Sequence, residues 1–192
     1  IRDVAPSRGL GDVYKRHFYA HKEKQDTTID NTTASEAERL INKDLEVGYP
    51  DTPTEVLKLF GRMNQCIYNN NMSDKQFDEL VNQMRLLYSN SLLSQNPFEE
   101  QRDNLKDEIQ EFRKQKRRIA NYTVDKGSSV KYKTIQNQDC AYVQMAYFMK
   151  ENGNYTKSFQ EYILVKENGK WKILSFQKNV SKDESKTEEQ KG

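Results

Sequence analysis

The spacing of apolar residues changes once along the chain, and this change limits the possible folds more than any other feature. Before Ala120, apolar residues recur at intervals of three and four, which is typical of helices that bury one face. After Ala120 the interval becomes two, which is typical of strands. Asn152-Gly153 and Asn168-Gly169 divide the second half, and this dipeptide favours two-residue β-hairpin turns. Helices followed by an antiparallel meander predict an α+β domain.

Four helix starts carry recognisable signals. Three are capping boxes, in which a Ser or Thr and the Glu or Gln three residues later each bind the other's backbone N–H. The pairs are Ser35 with Glu38, Thr52 with Glu55, and Ser73 with Gln76. The fourth start is Asn96-Pro97, and we expect that helix to run to Ile119, so that its basic end, including Arg117 and Arg118, matches the helix dipole. That end could also contact phosphate or another anionic surface.

The two ends of the chain differ from the middle. Residues 1–34 are polar and basic without a sustained apolar period, and residues 181–192 contain no apolar side chain, so both are interpreted as tails. A hydrophobic content of 34% and a mean hydropathy of −1.04 agree with one ordered domain between tails, at residues 35–180. The chain begins at Ile1, which fits a processed or trimmed protein, and a signal peptide or membrane anchor could have preceded it.

Composition argues against several function classes. The 31 basic and 29 acidic residues nearly cancel, so we expect no nucleic-acid partner, and no apolar run is long enough to span a membrane. Cys66 and Cys140 could form a disulfide, but two buried thiols are the simpler interpretation. His17 and His21 are the only histidines and have no third ligand nearby, so we expect no metal site, no histidine-dependent triad and no cofactor.

If each Asn-Gly pair is a two-residue turn, the register of the sheet follows. Gln144 is then opposite Glu161, Tyr142 opposite Ile163 and Leu164 opposite Ile173, with Phe176 beside Glu161. One face of the sheet collects Tyr142, Gln144, Phe148, Phe159, Glu161 and Phe176, and the other collects Met145, Tyr147, Tyr162 and Trp171. Both faces are too apolar to face water. One should pack on the helices, and a second copy of the chain is the simplest cover for the other.

The hairpin at residues 162–173, with Gly169, Trp171 and Ile173 at its end, resembles the closing strands of the nuclear-transport-factor-two-like superfamily. That superfamily includes ketosteroid isomerases and polyketide cyclases. The resemblance implies a cone-shaped fold, in which helices pack into a curved antiparallel sheet with a cavity at the open end. Residues 49–56 and 121–124 resemble an uncharacterised family of membrane-tethered or secreted proteins from Gram-positive gut anaerobes. This implies an extracytoplasmic location, with membrane contact only through an N-terminal anchor outside this sequence.

In such cones Trp171 and Ile173 point inward, so the resemblance implies which face is concave. The candidate cavity residues are then Tyr68, Met145, Tyr147, Tyr162 and Trp171. The candidate homodimer face is the opposite one, formed by Tyr142, Gln144, Phe148, Phe159, Glu161 and Phe176.

Three functions remain open. The leading hypothesis is a non-catalytic domain that binds a small molecule or a protein. The second is an isomerase- or dehydratase-type enzyme, which needs a carboxylate base and hydroxyl donors in an apolar pocket. Glu161 is expected on the outer face and Asp139 at a strand end, so we assign no catalytic residue. The third is a structural homodimer whose cavity is filled by Met145, Tyr147 and Trp171.

Overall fold

The computed structural model describes residues 35–178. The expected tails at 1–34 and 181–192, together with His17 and His21, lie outside the described residues. Within them, helices pack on one face of a curved antiparallel sheet, which confirms the α+β prediction.

Helices make up the first part of the domain. They are α1 (Glu36–Ile41), α2 (Pro53–Asn69), α3 (Asp74–Arg85), α4 (Asn90–Gln95) and α5 (Phe98–Lys114). All three predicted capping boxes form, because the side chains of Ser35, Thr52 and Ser73 each accept the backbone N–H three residues later. The short helix α4 was not predicted. It begins after Ser89, whose hydroxyl accepts the N–H of Leu92.

The predicted end of α5 was wrong. The helix stops at Lys114, and Lys116 has a φ of 52°, which breaks the helical path. Arg117 and Arg118 belong instead to the first strand, where Arg117 is opposite Glu151 and lies 2.6 Å from its carboxylate. The backbone hydrogen bonds of the sheet therefore outweigh the dipole preference that placed these basic residues in a helix.

Five antiparallel strands form the sheet among the described residues. They are β1 (Arg117–Val124), β2 (Lys131–Ile135), β3 (Gln138–Glu151), β4 (Asn154–Glu167) and β5 (Lys170–Lys178). The order is β1-β3-β4-β5, and β2 pairs with the other end of the same edge of β3. Both predicted hairpin turns are present, because Asn152, Gly153, Asn168 and Gly169 all have positive φ, as a two-residue type I′ turn requires.

The predicted register holds between β3 and β4 and fails in part of β5. Gln144 is opposite Glu161, as expected. Leu164 is opposite Ile173, also as expected, but the next pair is Ile163 with Ser175, so the pairing skips one residue of β5. This bulge reverses the faces of the residues that follow it. Phe176 is therefore opposite Tyr162 on the helix-covered face, and Gln177 takes the place beside Glu161.

The core lies between α2, α3, α5 and the inner face of the sheet. Its largest fully buried side chains include Leu57, Met63, Leu80, Tyr162 and Leu164. Cys66 and Cys140 are free and buried, which confirms two buried thiols and not a disulfide. No helix in residues 35–178 is long and apolar enough to cross a membrane.

Candidate functional site

A cavity of about 360 Å³ lies between the helices and the inner face of the sheet. The apolar part of its lining is mostly aromatic, with Phe60, Tyr68, Tyr88, Phe112, Tyr147, Tyr162 and Phe176. Met84, Leu105, Ile119 and Met149 complete the apolar part. The polar lining consists of Asn64, Asn96, Gln101, Asn104, Glu108, Ser158 and Gln160.

Regular spacing in each element brings these side chains together. Phe60, Asn64 and Tyr68 recur every four residues along α2, which places them on one face of that helix. Ser158, Gln160 and Tyr162 recur every two residues along β4, which places them on one face of the sheet. The cavity therefore lies between one face of α2 and one face of β4, and each of these two rows contributes both aromatic and polar side chains to its lining.

The polar groups of the cavity hold the tyrosine hydroxyls in place. Asn64 Nδ2 donates to the hydroxyl of Tyr147 at 2.8 Å. The hydroxyl of Tyr162 donates to Gln160 Oε1 at 2.6 Å. Gln101 Nε2 donates to the hydroxyl of Tyr88 at 3.1 Å.

The environment keeps these hydroxyls protonated. Burial raises the pKa of Tyr88 and of Tyr147 to about 12. Burial, and then the neighbouring hydroxyl of Tyr147, raise the pKa of Tyr162 well above its usual value. Burial, and then the carboxylate of Glu108, raise the pKa of Tyr68. At neutral pH the cavity therefore offers neutral hydroxyls, which donate and accept hydrogen bonds, and no phenolate.

The mouth of the cavity carries its charge. Glu108 on α5 is exposed and is the one carboxylate among the described residues that line the cavity. The ring of Tyr68 meets that of Phe112 edge to face, with centroids 5.1 Å apart. Phe176 is 53% exposed and stacks on Tyr162 at 5.3 Å, so it also belongs to the rim.

Three of the five predicted cavity residues line the cavity, namely Tyr68, Tyr147 and Tyr162. Met145 and Trp171 are buried on the same face of the sheet but lie elsewhere in the core. Trp171 packs against Tyr132, with ring centroids 5.7 Å apart. Neither residue fills the cavity, contrary to the expectation for a filled core.

One of the six residues predicted for the dimer face lies on the opposite face of the sheet. Phe176 lies on the inner face because of the β5 bulge, so its assignment to the outer face was wrong. The remaining members share the outer face and are half-buried: Tyr142, Gln144, Phe148, Phe159 and Glu161. Lys157 Nζ lies 4.8 Å from the ring centre of Phe148 and 4.3 Å from that of Phe159. Whether a second copy covers this face stays a prediction.

Apart from Tyr68, sequence reasoning missed the helical half of the site. Phe60 and Asn64 precede Tyr68 at four-residue intervals, and an amide between two aromatics on a buried helix face was a usable signal. Glu108 is on the border between the apolar stripe and the exposed face of α5, where no local pattern separates a cavity residue from a solvated one. In residues 35–178 no group of three or more His, Cys, Asp or Glu side chains could hold a metal ion.

One family matches this chain, over residues 13–176, and its description is "Domain of unknown function (DUF6715)". No curated protein matches the chain at a significant level, and no solved structure does. Because the match spans well over half of the 192 residues, the chain belongs to the DUF6715 family.

Proposed function

We propose that this domain is a non-catalytic module that binds a small molecule in the cavity between α2, α3, α5 and the sheet. The observation that carries this proposal is the cavity itself. Its volume of about 360 Å³ is in the range of small-molecule sites, and its lining combines eleven aromatic and aliphatic residues with seven polar ones. Those groups are held by hydrogen bonds, such as that from Asn64 to Tyr147, which favours a preformed site.

Catalysis is the less supported alternative. An isomerase-type reaction needs a carboxylate base beside hydroxyl donors in an apolar interior. The neutral tyrosine hydroxyls of the interior supply such donors, but Glu108, the one carboxylate among the described lining residues, is at the exposed mouth and not in the apolar interior. This arrangement favours binding over proton transfer. A structural dimer with a filled core is less supported too, because Met145 and Trp171 leave the cavity open.

We also propose that the domain shares the cone fold of the nuclear-transport-factor-two-like superfamily. The support is the order of helices before a curved meander, together with Gly169, Trp171 and Ile173 in the closing hairpin. The separate resemblance of residues 49–56 and 121–124 to an uncharacterised family of membrane-tethered or secreted proteins supports an extracytoplasmic, anchored or secreted location. Protease treatment of intact native cells tests this location, because a protected protein would contradict it.

Blocking the cavity tests the binding proposal. The probe is tert-butylbenzene, a neutral aromatic molecule, and binding is measured by ligand-observed NMR. Ser158 lines the cavity, so Ser158→Phe should lower the affinity for the probe at least about tenfold by filling the space. Ser175 is opposite Ile163 on the outer face, so Ser175→Phe adds the same side chain away from the cavity and should leave the affinity unchanged.

Circular dichroism of both variants shows whether each keeps the fold. Equal affinities of the wild type and a folded Ser158→Phe variant would place the probe outside the cavity and contradict the proposal.

A further inference from the structure

The charge of the cavity lining is negative. Among the described residues that line it, one is acidic, Glu108, and none is a lysine or an arginine. Arg85 comes near from behind the wall, where it donates to Asn96 O at 2.8 Å and to Gln101 Oε1. Gln101 precedes Glu108 by seven residues on α5, which is about 10 Å along a helix axis. The mouth at Glu108 is therefore the electronegative end of the cavity.

No lysine or arginine of residues 35–178 is placed over an aromatic ring of the cavity. In the described part of the chain, Lys and Arg groups lie over rings outside the cavity, including Phe77, Phe98, Tyr142 and Phe159. The cavity rings pack instead on each other, as Tyr68 does on Phe112 and Phe60 on Tyr162. A ring face binds a cation through its quadrupole, and several rings beside a carboxylate form a site for an ammonium group.

We propose that the ligand of the cavity is an organic cation, an amine or quaternary ammonium attached to an apolar body. This inference rests on the proposed function, binding in the cavity. The ammonium lies at the mouth, near Glu108 and the rings of Tyr68 and Phe112. The apolar body extends inward against Phe60 and Met84. A ligand without a positive charge would leave the carboxylate at the mouth without a partner on the ligand.

Two probes of the same shape test the role of charge. Phenyltrimethylammonium and tert-butylbenzene differ only in the central atom, a cationic nitrogen or a neutral carbon. We expect wild-type protein to bind the cation at least about tenfold more tightly, a difference of about 1.4 kcal/mol. Higher salt should reduce this preference, because the mouth is open to solvent.

A pair of variants assigns the preference to Glu108. Glu108→Gln removes the charge and keeps an oxygen that can accept a hydrogen bond from Tyr68, so the fold should be preserved. It should weaken binding of the cation about five- to tenfold and leave binding of tert-butylbenzene unchanged. Glu100→Gln is the matched control, since Glu100 is exposed on the same helix and does not line the cavity. It should change neither affinity by more than about twofold.

The outcomes separate this inference from the proposed function. Equal binding of both probes to the wild type, with loss of both in Ser158→Phe, would overturn the cationic ligand and leave binding in the cavity intact. An equal loss of both probes in Glu108→Gln would also overturn it, because the carboxylate would then act through shape and not through charge. A wild type that binds neither probe would overturn the proposed function and this inference together.

Discussion

At Gly61 the helix α2 comes close to the sheet. A Cβ atom at Gly61 would lie 2.5 Å from Met145 Cε and 2.7 Å from two ring carbons of Tyr122. The methionine end can move, but the tyrosine ring is held, because its hydroxyl donates to Lys58 O at 3.0 Å. Overpacking costs about 1–3 kcal/mol, and the helix preference of Ala over Gly returns up to about 1 kcal/mol. We expect Gly61→Ala to lower the free energy of unfolding by about 1 kcal/mol, measured by urea denaturation.

Gly127 provides the control for this substitution. An added Cβ there would meet no atom of residues 35–178 within 4 Å, so Gly127→Ala should change the free energy of unfolding by less than about 0.5 kcal/mol. A Gly61→Ala variant as stable as the wild type would show that the sheet yields at this contact.

The buried tyrosines predict a loss of stability at alkaline pH. Burial raises the pKa of Tyr147 to about 12, from an ordinary value of 10.0. The folded state therefore binds more protons than the unfolded state between these two values. The free energy of unfolding should keep its full value below pH 10 and fall as the pH rises towards 12. Tyr147→Phe should reduce this fall, measured by urea denaturation at increasing pH.

Tyr155, which is 65% exposed, offers the matched control. Tyr155→Phe should keep the full alkaline loss. Identical pH profiles of the Tyr147→Phe variant and the wild type would contradict the contribution of the Tyr147 hydroxyl to this loss.

Among the elements, α2 and β1 are joined by side-chain amides at a bulge. The pairing of β1 with β3 skips Ala120, between Ile119 and Asn121. Asn69 Oδ1 accepts the N–H of Ile119 at 2.9 Å, and Asn69 Nδ2 donates to its carbonyl at 2.8 Å. Gln65 Nε2 also donates to the Ile119 carbonyl, at 3.1 Å. The helix thus supplies hydrogen bonds to the backbone at the place where the strand ladder is interrupted.

Removing the Asn69 amide should loosen this junction. Asn69→Ala leaves the N–H of Ile119, a residue that is 5% exposed, without its side-chain acceptor, which should cost about 1–3 kcal/mol. Amide hydrogen exchange at Ile119 should become faster, while Asn70→Ala, one residue further along, should leave it unchanged. An Ile119 amide that stays fully protected in Asn69→Ala would show that another acceptor replaces the side chain.

For the molecule as a whole, the untested prediction is the homodimer through the outer sheet face. That face carries Lys133 over Tyr142, as well as Lys157 over the two phenylalanines, and Glu161 between them. A twofold interface brings the same face of each copy together, and on this face the two lysines outweigh Glu161, so the two faces repel each other through their net positive charge. We therefore expect any dimer to be stronger at about 500 mM salt than at about 50 mM, measured by sedimentation velocity.

A substitution in the middle of that face should weaken the dimer. Phe148→Asp places a carboxylate in the shared apolar patch, whereas the cavity is on the other face of the sheet and should bind its probes as before. A monomer at every protein concentration and at both salt concentrations would contradict the homodimer.

Much of the fold was predictable because its signals are local. The capping boxes at Ser35, Thr52 and Ser73 each span three residues, so the side chain and the backbone group it binds are close in any conformation of the chain. The Asn-Gly turns act in the same way, because positive φ at two neighbouring residues is enough to reverse the chain. These signals and the two apolar periods led to the helices and the hairpins, and the resemblance to cone-shaped folds implied that the face bearing Tyr147 and Tyr162 is the inner one.

The start of β1, the face on which Phe176 lies and the place of Glu108 depend on contacts between distant parts of the chain. The first strand begins at Arg117 because β3 extends to Glu151 and pairs with it, and no residue near Arg117 indicates this. Phe176 reached the cavity through a bulge that only the packing of β5 on its neighbours determines. From the sequence, Glu108 is an ordinary exposed residue of α5. It lies at the mouth of the cavity only because α2 brings Tyr68 beside it. The sequence by itself thus determined the three helices with capping boxes and the two hairpins, since their hydrogen bonds are local, whereas the tertiary structure decided the composition of the cavity, since its walls come from elements far apart in the chain.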